Sequence, residues 1–347
     1  MRSILILGGY GNFGKRIARA LVQAQVPVIL AGRDRAKAEK LAGELGPLAS
    51  VAVFDVNASL AEHLVQCSPC AVIHTCGPFQ IADYRVAELC IAHGVHYIDL
   101  ADGRAFVRDI TRLDAAAKAN GVSVISGAST VPGLSSAVLE HFNHEFAAID
   151  HVRFGISPGQ KAERGLATTQ GILTYVGKPL APFAGHPHAY GWQGLYRQNY
   201  PVLGKRWMAN CDIPDLDLLP AHYGIKALQF SAGLELAPLH LGLWALSWLV
   251  RLGLPVDLRT HASRLLAASN WLDRFGSSDG GMHVIITGTA PDGSAHTRQW
   301  FIIAKDGYGP YIPTIPAMVI AQKIAAGTAF KPGAYPCIAQ VTISEYL

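Results

Sequence analysis

The sequence predicts an α/β chain in which a doubly wound parallel sheet is followed by a second domain of α+β type. Three observations predict it. Short apolar runs of strand length recur through the first third, at 3–7, 27–31, 50–54, 70–76, 96–100 and 122–126, and helical patterning separates most of them. Parallel neighbours need crossover connections, and the crossover helices cover both faces, so this alternation reads as a parallel sheet. A glycine-rich turn follows the first run directly. Past Gly127 the alternation stops, and runs at 282–289 and 297–304 flank Pro291-Asp292-Gly293-Ser294, the signature of an antiparallel hairpin.

The elements follow in order. After the first strand, Ile17, Leu21 and Val22 with alanines between them fit a helix packed on a sheet. Segment 175–217 is rich in Gly, Pro, Tyr and His with no sustained period, and is expected to form long loops. Segment 315–326 reads as a late helix ended by Gly327. The uncharged apolar segment 236–250 would reach roughly 22 Å as a helix, short of a hydrocarbon core of about 30 Å. It is expected in the core or at a homodimer interface, with peripheral membrane contact as the alternative. The domains expected are 1–128, 129–312, and a C-terminal helix and tail at 313–347.

Composition narrows the function. The 347 residues carry 29 Lys+Arg against 25 Asp+Glu, a net +4 without basic runs, which argues against a nucleic-acid binder. Charged residues are only 16% and hydrophobic ones 50%, so little charge is available to cover the surface, as at a buried interface or an apolar ligand site. Six scattered cysteines do not make a disulfide framework, and a reducing, cytoplasmic compartment is expected. Cys67 and Cys70 form C-x-x-C without a second pair, and Pro187 parts His186 from His188 with no carboxylate or cysteine near, so no metal is expected. The start of the chain lacks the apolar core of a signal peptide.

The chemistry lies at the strand ends. Gly9-Tyr10-Gly11-Asn12-Phe13-Gly14 satisfies G-x-G-x-x-G between a predicted strand and a predicted helix. One glycine makes the tight turn, one lets a pyrophosphate approach the backbone, and one lets helix and strand pack closely, which makes the domain a Rossmann-type dinucleotide site. An NAD site usually places an acidic residue at the end of the second strand, but here Ala31-Gly32-Arg33 stands there. A guanidinium suits a 2′-phosphate, so NADP (as NADPH) is expected over NAD. Asp34, one place on, is expected to cap the next helix.

Ligands of such sheets bind at the carboxyl ends of the strands, which makes Asp55 and Val56 candidates near the adenine and Cys76, Gly77 and Pro78 candidates near the nicotinamide. Asp99 and Asp102, with His96 before them, are the acid/base candidates, Asp99 being open also to a structural role. His186, His188, Tyr190, Trp192, Tyr196 and Arg197 gather in the loop-rich segment, and 130–135 begins a helix that offers a second anion seat.

With these motifs the chain resembles the saccharopine dehydrogenase-like oxidoreductases. The resemblance rests on Gly9 to Gly14, Ala31-Gly32-Arg33-Asp34, Cys76-Gly77-Pro78-Phe79, 94–100, 127–133 and the tail 333–337. It covers the first 135 residues well, the tail modestly and the middle poorly. It implies a Rossmann domain, a mixed-sheet substrate and dimerisation domain, a C-terminal helix and tail that return to the first domain, and the glycines, Arg33 and the Gly77-Pro78 turn as cofactor positions. The function expected is hydride transfer between NADP and an imine, carbonyl or amino-acid-like small molecule. Two alternatives stand beside it: reduction of an apolar lipid-linked substrate at a membrane surface, a reaction of family relatives, and NADPH binding as a sensor without turnover.

Overall fold

The computed structural model describes residues 2–253 and 255–347. The chain divides into two compact units, Met1–Ala137 with Tyr311–Leu347, and Val138–Pro310. In the first unit seven strands form one sheet: β1 (Ile4–Leu7), β2 (Val28–Gly32), β3 (Ala49–Val53), β4 (Ala71–His74), β5 (His96–Asp99), β6 (Ser123–Ser126) and the last strand of the chain, Gly333–Pro336. From one edge the order is Gly333–Pro336, β6, β5, β4, β1, β2, β3, and every pairing is parallel. The order reverses between β1 and β4, and that switch point fixes where a ligand can lie.

Strands covered on both faces need apolar residues at consecutive positions, because neither face meets water. All four residues of β1 are at most 1% exposed. Each such side chain contributes roughly 2 kcal/mol of burial. Helices α1 (Gly14–Gln23), α2 (Arg35–Leu45), α3 (Val56–Cys67) and α4 (Arg85–Ala92) supply the crossovers.

The first unit runs on to Ala137 rather than stopping at 128, because the segment after β6 packs on the chain's tail. Ser136 donates to Gly133 O at 3.1 Å and accepts from Ala339 N at 3.2 Å, and Gly133 lies against Pro316 so closely that a Cβ would stand 2.9 Å from that ring. The expected late helix is Ile315–Ala325, and the tail after it joins the first unit as expected, adding there an edge strand that was not expected.

The second unit is built on a mixed sheet of six strands: β7 (Ala148–Ser157), β8 (Tyr196–Tyr200), β9 (Gly204–Asn210), β10 (Ala227–Ala232), β11 (Gly280–Thr289) and β12 (Ala295–Ala304), in the order β12-β11-β7-β10-β9-β8. The tail strand is therefore β13. β11 and β12 form the expected antiparallel hairpin, closed by Asp292, whose carboxylate accepts from Ser294 N at 2.9 Å. Segment 175–217 is not all loop, since β8 and β9 pair antiparallel within it. The apolar segment forms the helix Ala237–Arg251, in which His240 and Ser247 are fully buried while Trp248 and Leu249 are 38% and 52% exposed. It is thus a surface helix rather than a core one. Among the described residues no helix is long and apolar enough to cross a membrane.

Candidate functional site

The glycine-rich loop leaves β1 at the switch point and enters α1. Gly8 N and Gly9 N both donate to Ala31 O, at 3.0 and 3.1 Å, which ties the loop to the end of β2. A Cβ on Gly14 would lie 2.2 Å from Gly8 O and 2.9 Å from Gly9 Cα, both backbone atoms that cannot swing aside. Glycine at 14 is thus what lets α1 start this close to the strand. No side chain caps α1 and no acidic residue stands in its first turn, so its N-terminus is left for an anion. This cradle, which side chains would fill, fits a dinucleotide.

Around it, Tyr10 reaches across to β2: its hydroxyl accepts from Asp34 N at 2.8 Å and its ring covers Gly32. Asn12 is held by Arg16, whose guanidinium donates to both its carbonyl and its side-chain oxygen and stands over the Tyr311 ring at 5.2 Å. At the tip of β2, Arg33 is exposed and, among the described residues, pairs with no carboxylate. Asp34 caps α2, accepting from Lys37 N at 3.1 Å, and pairs with Lys37 Nζ at 3.0 Å. Those contacts hold its carboxyl below the usual range. The positive charge at the tip is therefore open and the negative one is engaged.

Asp55 follows β3 and caps α3 by accepting from Asn57 N at 2.9 Å, and Val56 is the first residue of that helix. Its carboxylate serves the helix before any ligand. Cys76, Gly77 and Pro78 follow β4 beside the glycine loop, where a Cβ on Gly8 would meet Thr75 Oγ1 at 2.7 Å and Cys76 Sγ at 3.0 Å. Thr75 Oγ1 donates to Leu7 O at 2.8 Å and so clips the ends of β1 and β4 together across the switch point. The sequence reading missed Thr75, although a hydroxyl at a strand tip beside a glycine turn was the signal for it.

The three acid/base candidates separate. His96 opens β5, so it lies at the amino edge of the sheet, roughly 10 Å of strand away from Asp99 at the carboxyl edge. There its Nδ1 accepts from Ser123 N at 3.0 Å, and burial lowers its pKa. The expectation that it does chemistry is corrected: it joins two strands. Asp99 closes β5 and is fully buried. Its Oδ1 accepts from Gly127 N at 2.7 Å, Ala101 N at 3.0 Å and Ser126 Oγ at 3.0 Å. Burial outweighs those donors and pushes its pKa up to about 6. With no exposed atom it cannot meet a substrate, so it is a positioning residue that holds the loops after β5 and β6.

Asp102 remains. It is partly buried in the loop after β5, where Oδ1 accepts from Gln80 Nε2 at 3.0 Å, and burial raises its pKa. Gln80, which the sequence reading passed over, brings the loop after β4 to the loop after β5. Gly103 tightens the join, since a Cβ there would lie 2.9 Å from Phe79 O. Of the second unit's aromatic and histidine candidates, Trp192 is buried with its indole N–H toward His240 O at 3.4 Å, and Arg197 stacks on Trp207 at 4.4 Å.

Comparison with known proteins agrees with this geometry. Residues 4–125 match the family described as the saccharopine dehydrogenase NADP binding domain. No curated protein sequence matches the chain. Among solved structures the chain is similar to saccharopine dehydrogenase (L-Glu forming) from Saccharomyces cerevisiae, with 13% identity and a TM-score of 0.66 over 100% of this chain and 95% of that one. It is also similar to an amine dehydrogenase from Mycobacterium smegmatis, with 14% identity and a TM-score of 0.50 over 97% of this chain and 95% of that one. At such identities the likeness is one of fold. Residues 4–125 are thus similar to the NADP binding domain of saccharopine dehydrogenases, and the fold along the whole chain is similar to that of a saccharopine dehydrogenase.

Proposed function

We propose that the chain is an NADP-dependent oxidoreductase acting on an imine, carbonyl or amino-acid-like small molecule. The observation that carries the choice of NADP is the open guanidinium of Arg33 beside an Asp34 already engaged by Lys37. A 2′-phosphate entering there meets a planar fork of donors, whereas a ribose hydroxyl finds no free carboxylate. The nicotinamide, when bound, supplies or accepts the hydride. The chain's own residues do the rest. Gly9, Gly11 and Gly14 leave room for the pyrophosphate, the uncapped start of α1 offers it donors, and Tyr10 with Asn12 and Phe13 shapes the loop. Cys76, Gly77 and Pro78 border the nicotinamide side, and Asp55 and Val56 the adenine side. Asp102, whose carboxyl is raised by burial and oriented by Gln80, handles the proton.

The amino-acid-like class of substrate is supported by the likeness in fold to a saccharopine dehydrogenase and an amine dehydrogenase. A second reading, a reductase of a lipid-linked substrate at a membrane surface, is favoured by the exposed Trp248 and Leu249. The homodimer reading uses the same two side chains. The test is turnover: NADPH oxidation with 2-oxo acids plus ammonia or an amine, against NADPH oxidation with enones presented in detergent. Activity in the first alone supports the proposal, activity in the second alone overturns it in favour of the lipid reading, and NADPH binding without either reaction leaves a sensor.

A further inference from the structure

A cavity of about 630 Å³ opens within the second unit, between the loop 177–179, the end of the helix Ala237–Arg251 and the stretch 255–257. That volume suits a small organic ligand. Local packing builds its walls. Gly177 has a φ of +72°, and a Cβ there would press on Ser247 O and lie 2.7 Å from Val250 Cβ, so glycine lets the loop rest directly on the last turns of the helix. Backbone bonds then fix Lys178 and Tyr190 in the wall: Gly177 N donates to Gly191 O at 2.9 Å, Gly191 N to Lys178 O at 3.0 Å and Leu180 N to Ala189 O at 2.9 Å.

The charge of this cavity is one-sided. The guanidinium carbon of Arg251 stands 3.8 Å from the Tyr190 ring centroid and 4.8 Å from that of Trp248, and its Nη1 donates to Gln193 Oε1 at 2.7 Å. Two aromatic rings and a neutral amide thus hold the cation, and among the described residues it pairs with no carboxylate. Lys178 is exposed and likewise pairs with none. The acid in the lining is Asp257, and it is engaged: it accepts from Arg259 Nε at 3.0 Å and Arg259 Nη2 at 2.7 Å. Those bonds hold its carboxyl down at about 2. Asp257 and Arg259 cancel, which leaves Lys178 and Arg251 unopposed. Leu252 N and Gly253 N satisfy Trp248 O and Val250 O at 2.9 and 3.1 Å, which softens the negative helix end that an anion would otherwise meet. Val250, Pro255 and Val256 make the rest of the wall apolar.

We propose that this cavity seats the phosphate group of a phosphate monoester, with Lys178 and Arg251 as its ligands and Val250, Pro255 and Val256 against the organic part. Two unopposed cations match a group that carries close to two negative charges, whereas a carboxylate or a sulfate ester would answer only one. Arg251 offers a planar fork already fixed in place, and Lys178 a mobile point charge. The seat uses none of the residues assigned to the nucleotide or to the proton, so it does not rest on the oxidoreductase reading.

A phosphate monoester can be free in solution or the headgroup of a lipid, and the test separates the two. The full chain is titrated calorimetrically with phenyl phosphate and phenyl sulfate, and sedimented with phosphatidylcholine vesicles with and without phosphatidic acid, in wild type, Lys178→Met, Arg251→Met and Arg33→Ala. Phenyl phosphate or the phosphatidic acid vesicles should bind wild type, about tenfold more weakly in Lys178→Met and about ten- to a hundredfold more weakly in Arg251→Met. Affinity should stay within about twofold in Arg33→Ala, and phenyl sulfate should bind about tenfold more weakly than phenyl phosphate. Phenyl phosphate bound in solution supports the seat with a free ester as its ligand, and capture by phosphatidic acid vesicles alone supports it with a headgroup. Lys178 is exposed, so its replacement leaves the fold intact, which an unchanged unfolding temperature checks. Neither probe bound by wild type, equal affinity in wild type and both cavity variants, phenyl sulfate bound as tightly as phenyl phosphate, or binding lost only in Arg33→Ala would each overturn the seat.

Discussion

Replacing Asp99 by Asn separates a positioning carboxylate from a catalytic one. Asp99 is fully buried, accepts three hydrogen bonds at Oδ1, and has its pKa pushed by burial to about 6, against 3.8 for an ordinary aspartate. Below pH 3.8 the group is protonated in both the folded and the unfolded chain. As pH rises from 3.8 to about 6 the unfolded chain loses this proton first, so the fold loses stability across that window and stays at the lower level above it. At about 1.4 kcal/mol per pH unit, the interval amounts to about 3 kcal/mol. Asparagine keeps the Oδ1 acceptor and does not titrate. Urea unfolding of wild type and Asp99→Asn at several values between pH 4 and pH 7 isolates the group, because every other titration cancels in the difference. The variant should gain about 2.4 kcal/mol relative to wild type between the two ends, since at pH 4 the unfolded aspartate is already more than half ionised. A difference constant to within about 0.5 kcal/mol would refute the assignment of a buried, raised carboxyl at 99.

Three further outcomes follow from the same contacts. Gly14→Ala drives a Cβ into Gly8 O and Gly9 Cα, so it should cost roughly 1–3 kcal/mol and weaken NADPH binding at least tenfold, read by thermal unfolding and fluorescence titration; full retention of both would remove the cradle from the account. Asp102→Asn should lower kcat by about a hundredfold or more with NADPH affinity unchanged, and an unaltered kcat would place the proton elsewhere. Leu249→Glu charges the most exposed aliphatic side chain of the helix Ala237–Arg251, and should shift a dimer to monomer in sedimentation without changing its fold; co-sedimentation of wild type with anionic vesicles, lost in the variant, would favour membrane contact.

Much of the first unit was legible because its physics is local. Strands covered on both faces must be apolar at consecutive positions, and the runs around Ile4–Leu7 and Ala71–His74 show it plainly. The glycine loop was equally plain, since a backbone packed this closely tolerates no side chain. Strand β7 was missed because only one of its faces is apolar: Val152 and Phe154 alternate with His151 and Arg153, and that polar face hid the pattern in the stretch after Gly127. Strand β13 has its partner, β6, far back in the chain, and Gly333-Ala334-Tyr335-Pro336 carries no strand signal of its own. Two of the three acid/base candidates were harder to place. His96 and Asp99 share one strand, and they part only when its direction assigns them to opposite edges of the sheet. The burial of Asp99 depends on Ser126 and Gly127, a contact between strands that spacing does not reveal.

We propose that the tip of β2 selects NADPH through Arg33. It is tested most directly by titrating wild type and Arg33→Ala with NADPH and NADH, following nucleotide fluorescence at low and at physiological salt. A charge-assisted contact to phosphate at an exposed site corresponds to about tenfold in affinity, reduced by salt. The account predicts that wild type prefers NADPH, and that Arg33→Ala weakens NADPH about tenfold while leaving NADH within about twofold. Equal weakening of both nucleotides, or a wild type that prefers NADH, would contradict it.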